Sequence, residues 1–147
     1  MTTLSEHERY MRRCIELARR ALATNDAPVG ALVVRDDEIV AEGVESVRAR
    51  SDVTAHAEIE AVRAAAARLR TIDLTSCILY TTVEPCVMCA YAIRLARVSK
   101  IVSGAREPTS EHAIGGYAVL TEDQAVPDRP PLVVIRDVLA SECAAVK

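Results

Sequence analysis

ILYTTVEPCVMCAYAIRLA, residues 78–96, reads as a strand that turns directly into a helix. Ile78 to Val83 is rich in β-branched and aromatic residues, which suit a pleated, buried surface. Pro85 then interrupts any strand pattern and suits the start of a helix, and Cys86 to Ala96 follows as a helical segment. Cys86 and Cys89 are three apart, so on that helix their sulfurs share one face. Both fall in the first turn, where unpaired backbone N–H groups and the helix dipole favour thiolate over thiol. Two thiolates aimed at one point are a metal-binding half-site, a redox pair, or half of a closed structural zinc site.

The other half lies upstream in Thr54-Ala55-His56-Ala57-Glu58, at the start of an Ala-rich segment, Ala55 to Leu69, that reads as a second helix. Alone, His-x-Glu on such a helix is more often a solvated face. With the cysteines it gives His-x-Glu followed by Pro-Cys-x-x-Cys, the motif of zinc deaminases. The chemistry fits the spacing. Two thiolates and one neutral imidazole nearly balance the charge of Zn²⁺, and three protein ligands leave the fourth tetrahedral position for water, as in catalytic sites. Bound zinc lowers that water's pKa to about 7. Glu58, two residues past His56, can face the water without ligating the metal, and a carboxylate there can carry protons to a ring nitrogen and then to a leaving amine. A redox pair would not need His-x-Glu. A closed zinc site would need a fourth ligand, and Cys14, Cys77 and Cys143 show no ligand spacing.

Outward from these segments the chain alternates. Residues 5 to 23 read as an amphipathic helix, with Ser5 and Glu8 as its capping box. Ala31 to Val34 and Ile39 to Ala41 read as strands joined by a short turn at Arg35, Asp36 and Asp37. Lys100 to Ser103 and Leu132 to Ile135 read as strands, residues 104 to 130 as loop with one helical turn, and Val138 to Val146 as a last helix. The alternation predicts a sheet with helices on both faces, built as one domain over residues 1–147.

Composition narrows the function. Half the residues are hydrophobic but only 3% are aromatic, all Tyr, with no Phe or Trp. The core must be Ala, Val, Leu and Ile, and a broad base-stacking platform for nucleic acid is disfavoured. The net charge is −3, with Arg interleaved among acids, which also argues against a dedicated nucleic-acid binder. Five cysteines, no apolar leader and no apolar run of membrane-spanning length predict a cytoplasmic protein without membrane contact. His7 reads as a solvated helix residue, and His112 as a loop residue more often exposed than touching substrate. Cys14, Cys77 and Cys143 read as small buried residues. Arg94, Arg97 and Arg106 read as solvated charge, with a basic rim as the alternative.

These motifs resemble the cytidine/deoxycytidylate deaminase superfamily, most closely its branch of tRNA adenosine, guanine and cytosine deaminases. The similarity covers nearly the whole chain: Ala27-Pro28-Val29-Gly30-Ala31, the His56 segment, Leu79 through Cys89, Ser103-Gly104-Ala105-Arg106-Glu107, and Ala140 through Ala145. The resemblance implies an α/β fold, a three-layer α/β/α sandwich around a mixed five-stranded sheet, usually as a homodimer. It implies Zn²⁺ on His56, Cys86 and Cys89, with Glu58 as proton shuttle and the Cys86 N–H near the bound oxygen. It also implies a substrate pocket lined by Val29, Gly30, Ala55, Glu84 and Pro85.

Two features depart from the family pattern. A substrate-gripping Asn commonly lies eleven residues before the zinc His; here that position is Glu45, read either as a surface acid or as a pocket residue. An ionised Glu only accepts hydrogen bonds, which would favour a ring bearing an extra donor, such as an aminotriazine, isocytosine or guanine-like base, and would repel a phosphate. The chain also ends at Ala144-Ala145-Val146-Lys147 without the aromatic and basic stretch of tRNA-acting members, and without the longer closing segment of guanine deaminases. Gly115-Gly116-Tyr117 is read as a lid or a plain surface turn. The expectation is therefore a hydrolase that uses water to deaminate a small nucleobase-like substrate (a free base or base analogue, guanine, cytosine, or a nucleoside), with tRNA the less favoured partner. The alternatives are tRNA adenosine-to-inosine editing and a non-catalytic zinc-stabilised interaction domain. The last requires a fourth protein ligand or a Glu58 turned away from the metal.

Overall fold

In a computed structural model the described residues are 3–106 and 115–147. Five strands form one mixed sheet in the order β2-β1-β3-β4-β5. These are β1 (Gly30–Arg35), β2 (Glu38–Val44), β3 (Ile78–Val83), β4 (Lys100–Ala105) and β5 (Val133–Ile135). β1 pairs antiparallel with β2 and β3, whereas β3–β4 and β4–β5 are parallel. Asp36 and Asp37 both have positive φ (51° and 63°), which gives the β1–β2 hairpin a two-residue turn of the primed kind that matches strand twist.

The period-2 alternation of the strands sorts the helices into two layers. Ala31, Val33, Leu79 and Ile101 face one side and pack with α3 (Ala57–Leu69), α4 (Val87–Leu95) and α5 (Gly116–Thr121). Leu32, Val34, Tyr80 and Val102 face the other and pack with α1 (Leu4–Ala21) and α6 (Ala140–Ala144). The parallel pairs need crossovers. Successive crossovers of one hand, advancing in one direction across the sheet, place α4 and α5 on the same side. The result is the expected three-layer α/β/α sandwich.

Several details differ from the sequence reading. The capping box of α1 is Thr3 and Glu6, not Ser5 and Glu8. The same Thr/Ser-x-x-Glu spacing occurs two residues earlier, and using it adds half a turn of helix. A short helix, α2 (Val47–Arg50), lies in a stretch to which the sequence reading assigned no element, and the buried Asp26 carboxylate accepts its Arg48 and Ala49 N–H groups. α6 starts only at Ala140, since Asp137 and Leu139 hold positive φ. His7 is buried rather than solvated, its Nδ1 2.8 Å from the Tyr80 hydroxyl oxygen. His112 lies outside the described residues.

Arg94 also departs from expectation: it is fully buried on α4, and its guanidinium donates to the carbonyls of Val119, Glu122, Asp123 and Arg129. The carbonyls at the end of α5 and in the segment that leads to β5 take the place of an acidic partner. Cys14, Cys77 and Cys143 are buried, as expected. No helix among the described residues is long and apolar enough to cross a membrane.

α3 approaches the sheet unusually closely. Ala57, Ala61 and Ala65, spaced four apart, form a fully buried stripe of methyl groups facing β2. A Cβ on Gly43 would sit 2.1 Å from the Ala57 carbonyl oxygen and 2.6 Å from the Ala61 nitrogen. Gly43→Ala is therefore expected to push α3 off the sheet at a cost of about 1–3 kcal/mol, read by denaturant unfolding. Because α3 carries Glu58, and His56 precedes it, zinc affinity should fall as well. An unchanged midpoint would contradict this packing.

Candidate active site

The site forms where α3 and α4 begin, on the side of the sheet they share. His56 is the N-cap of α3 and Cys86 the N-cap of α4, both with extended backbone. The Cys86 sulfur accepts the Cys89 N–H at 3.5 Å, so the helix start stabilises charge on sulfur. His56 Nδ1 lies 3.6 Å from the Cys86 sulfur and 3.4 Å from the Cys89 sulfur. A tetrahedral zinc with ordinary Zn–N and Zn–S bonds needs an N···S separation of about 3.6 Å. The three donors therefore fit this ion as they stand, and all lie within 4.8 Å of one another. Hydrogen bonding with Cys89 holds the Cys86 thiol down to about 5, while the same interaction, with burial, pushes Cys89 up. The pair without metal thus shares a proton that a cation would displace.

Glu58, in the first turn of α3, is buried beside this cage. One carboxylate oxygen accepts the Thr81 hydroxyl at 2.8 Å, and the other lies 3.7 Å from the Cys89 sulfur. Burial pushes its pKa up to about 7, against the opposing pull of its own backbone N–H and the Thr81 hydroxyl. The carboxylate thus faces the metal position. Among the described residues no fourth Cys or His joins the three donors. Glu58 is thus not turned away from the metal position, one of the two conditions set for a non-catalytic zinc domain.

A cavity of about 130 Å³ opens over the site, lined by Ala27, Val29, Glu45, His56, Glu58, Val83, Glu84 and Cys86. Val29, Glu45 and Glu84 thus sit where a substrate would lie. Glu45 is not a surface acid. It is buried, and its Oε1 accepts the Ala57 N–H at 2.7 Å. Burial raises its pKa more than that bond lowers it. The other three expected pocket residues adjoin lining residues in sequence but do not themselves line this cavity. Gly30 donates its N–H to the Thr82 hydroxyl and packs its Cα on α1, Ala55 accepts the Ser46 N–H, and Pro85 packs against Gly116. Gly116 and Tyr117 belong to α5. Tyr117 is buried with its hydroxyl on Ser103, so this part of the proposed lid is core. Thr81 was missed by the sequence reading. A hydroxyl at an inward position of an otherwise apolar strand was the available signal, because a buried polar group needs a partner.

This arrangement, a three-donor cage with a buried carboxylate at its side and a base-sized cavity above, is that of a metal-assisted deaminase. The chain belongs to the family of the cytidine and deoxycytidylate deaminase zinc-binding region, whose model matches residues 4–105. It is 36% identical over 115 residues to a tRNA-specific adenosine deaminase of Aquifex aeolicus, covering 78% of this chain and 76% of that protein. It is 40% identical over 108 residues to a guanine deaminase of Bacillus subtilis, covering 73% and 69%. A solved tRNA:A34 deaminase that performs A-to-I editing superposes with a TM-score of 0.84 at 31% identity, covering 95% of this chain and 99% of that one. The chain is thus a hydrolytic deaminase of this superfamily. Relatives named for tRNA remove the ground on which net charge and composition disfavoured that partner.

Proposed function

We propose that the chain catalyses zinc-dependent hydrolytic deamination of a small aminated heterocycle, releasing ammonia. The reading is carried by one observation: Glu58 is buried with a carboxylate oxygen 3.7 Å from the Cys89 sulfur of the His56–Cys86–Cys89 cage, and it lines a cavity of about 130 Å³ that admits a single ring. When bound, zinc supplies the Lewis acidity that makes water a nucleophile near neutral pH. The rest of the work falls to side chains. His56, Cys86 and Cys89 hold the ion. Glu58 accepts a proton from the attacking water as the C–O bond forms and passes it to the ring nitrogen beside the amino-bearing carbon; it then takes the proton left on the new hydroxyl and gives it to the amine, so that a carbonyl forms as the C–N bond breaks and ammonia leaves. Thr81 keeps Glu58 oriented throughout. Val29 and Val83 give the ring an apolar wall.

Two further features support the functional form. The α4 surface leaves Val87, Met88, Tyr91 and Leu95 exposed side by side, a face suited to a second copy of the chain in a homodimer. The five cysteines are free, in keeping with a reducing cytoplasm.

The test is ammonia release from zinc-loaded protein across cytosine, guanine, adenine, isocytosine, aminotriazines, their nucleosides and an anticodon stem-loop RNA, with Glu58→Ala as control. Release from at least one free base or nucleoside, absent in the control, is expected. Release from the stem-loop alone would replace this reading with tRNA adenosine-to-inosine editing, which the names of the relatives favour.

A further inference from the structure

We infer that Glu45 sets ring specificity: its buried carboxylate selects a base whose amino-bearing carbon is flanked by a ring N–H or that carries a second amino group. This rests on the deaminase reading above and adds the substrate class to it.

Glu45 follows directly after β2, and its N–H donates to the Val29 carbonyl at 3.1 Å, which fixes its backbone at the pocket wall. Its Oε1 is committed to the Ala57 N–H, which fixes the plane of the carboxylate. Among the described residues no group donates to Oε2, although the residue is only 8% exposed. Oε2 is therefore the carboxylate oxygen left free for a donor arriving through the cavity that Glu45 lines. Glu84, 9% exposed, lines the same cavity, and among the described residues no Lys or Arg does. The cavity thus offers acceptors and suits a ligand that carries donors.

Geometry narrows the ligand further. Carboxylate oxygens of Glu45 and Glu58 and a nitrogen of His56 all lie within 4.8 Å of one another. Two carboxylates that close can serve the two nitrogens of one N–C–N unit. Glu58 faces the nitrogen that receives the proton, and Glu45 faces the N–H on the far side of the amino-bearing carbon. Guanine, isocytosine and amino-oxo-triazines present that guanidine-like edge. Adenine and cytosine have only one nitrogen beside the amino-bearing carbon. A phosphate close to the ring would meet three carboxylates and no cation among the described residues.

Glu45→Gln tests this cleanly. The Gln carbonyl can still accept the Ala57 N–H, while its amide turns the pocket-facing acceptor into a donor. In zinc-loaded protein, the ratio of kcat/KM for guanine or isocytosine to that for adenine or cytosine is expected to favour the first pair. Glu45→Gln should lower the ratio by about 10- to 100-fold. An unchanged ratio, or a parent protein that prefers adenine or cytosine, would overturn the inference and leave the deaminase reading intact. Absence of ammonia from every free base and nucleoside would instead sink the small-substrate reading itself. Should Glu45→Gln fail to fold or to retain zinc, the parent protein decides. On 1-methylguanine, which lacks the N–H, kcat/KM should fall by about 10- to 100-fold relative to guanine, and equal values refute the assignment.

Discussion

Glu58→Gln is expected to lower kcat by about 10²- to 10⁴-fold while leaving zinc content and thermal stability close to those of the parent. The substitution separates proton transfer from architecture. Gln has the same shape, and its carbonyl can still accept the Thr81 hydroxyl that holds Glu58 at 2.8 Å. It cannot take a proton from water or return one to an amine. Burial sharpens the contrast, since it raises the Glu58 pKa to about 7, where a carboxyl group gives and takes protons with little bias near neutrality. The measurement is ammonia release on the best substrate, with metal content by mass spectrometry on the same sample. Activity near that of the parent, with zinc retained, would remove Glu58 from the chemistry. A parallel loss of zinc would show that the carboxylate supports the cage instead.

How much of this was legible in the sequence depends on how local the cause is. The β3–α4 unit is written in one stretch: Pro85 ends the strand, and the two cysteines fall where a helix start favours thiolate. The layer order follows from period-2 strands alternating with helices. What failed was set by partners distant in sequence. Arg94 reads as solvated because a lone cation normally is, and nothing nearby announces that the end of α5 and the segment after it will turn four carbonyls toward it. Glu45 was ambiguous between surface and pocket until Ala57, on another element, bound its carboxylate. Gly30, Ala55 and Pro85 were assigned to the pocket by similarity. Their backbones make contacts with Thr82, Ser46 and Gly116, residues distant in sequence that a motif cannot announce. α2 depends on Asp26, more than twenty residues upstream.

Cys89→Ala should abolish stoichiometric zinc and, with it, all deaminase activity. Cys89 is the buried member of the pair, and Cys86 is partly exposed at the helix cap. Its removal leaves His56 and Cys86, two donors where an ion of this kind is held by at least three. The fold should survive, because Cys89 is one small side chain among the many of the layer it belongs to, and the layer on the other face of the sheet contains neither cysteine. Stability should nevertheless register the loss. A ligand bound only by the folded state contributes about 2.7 kcal/mol when its free concentration is a hundredfold above Kd. The parent should therefore melt lower after treatment with a strong chelator and recover on adding zinc, whereas Cys89→Ala should melt at one temperature under both conditions. A chelator response that persisted in Cys89→Ala would mean that the ion is held elsewhere, and the cage at the start of α3 and α4 would have to be abandoned.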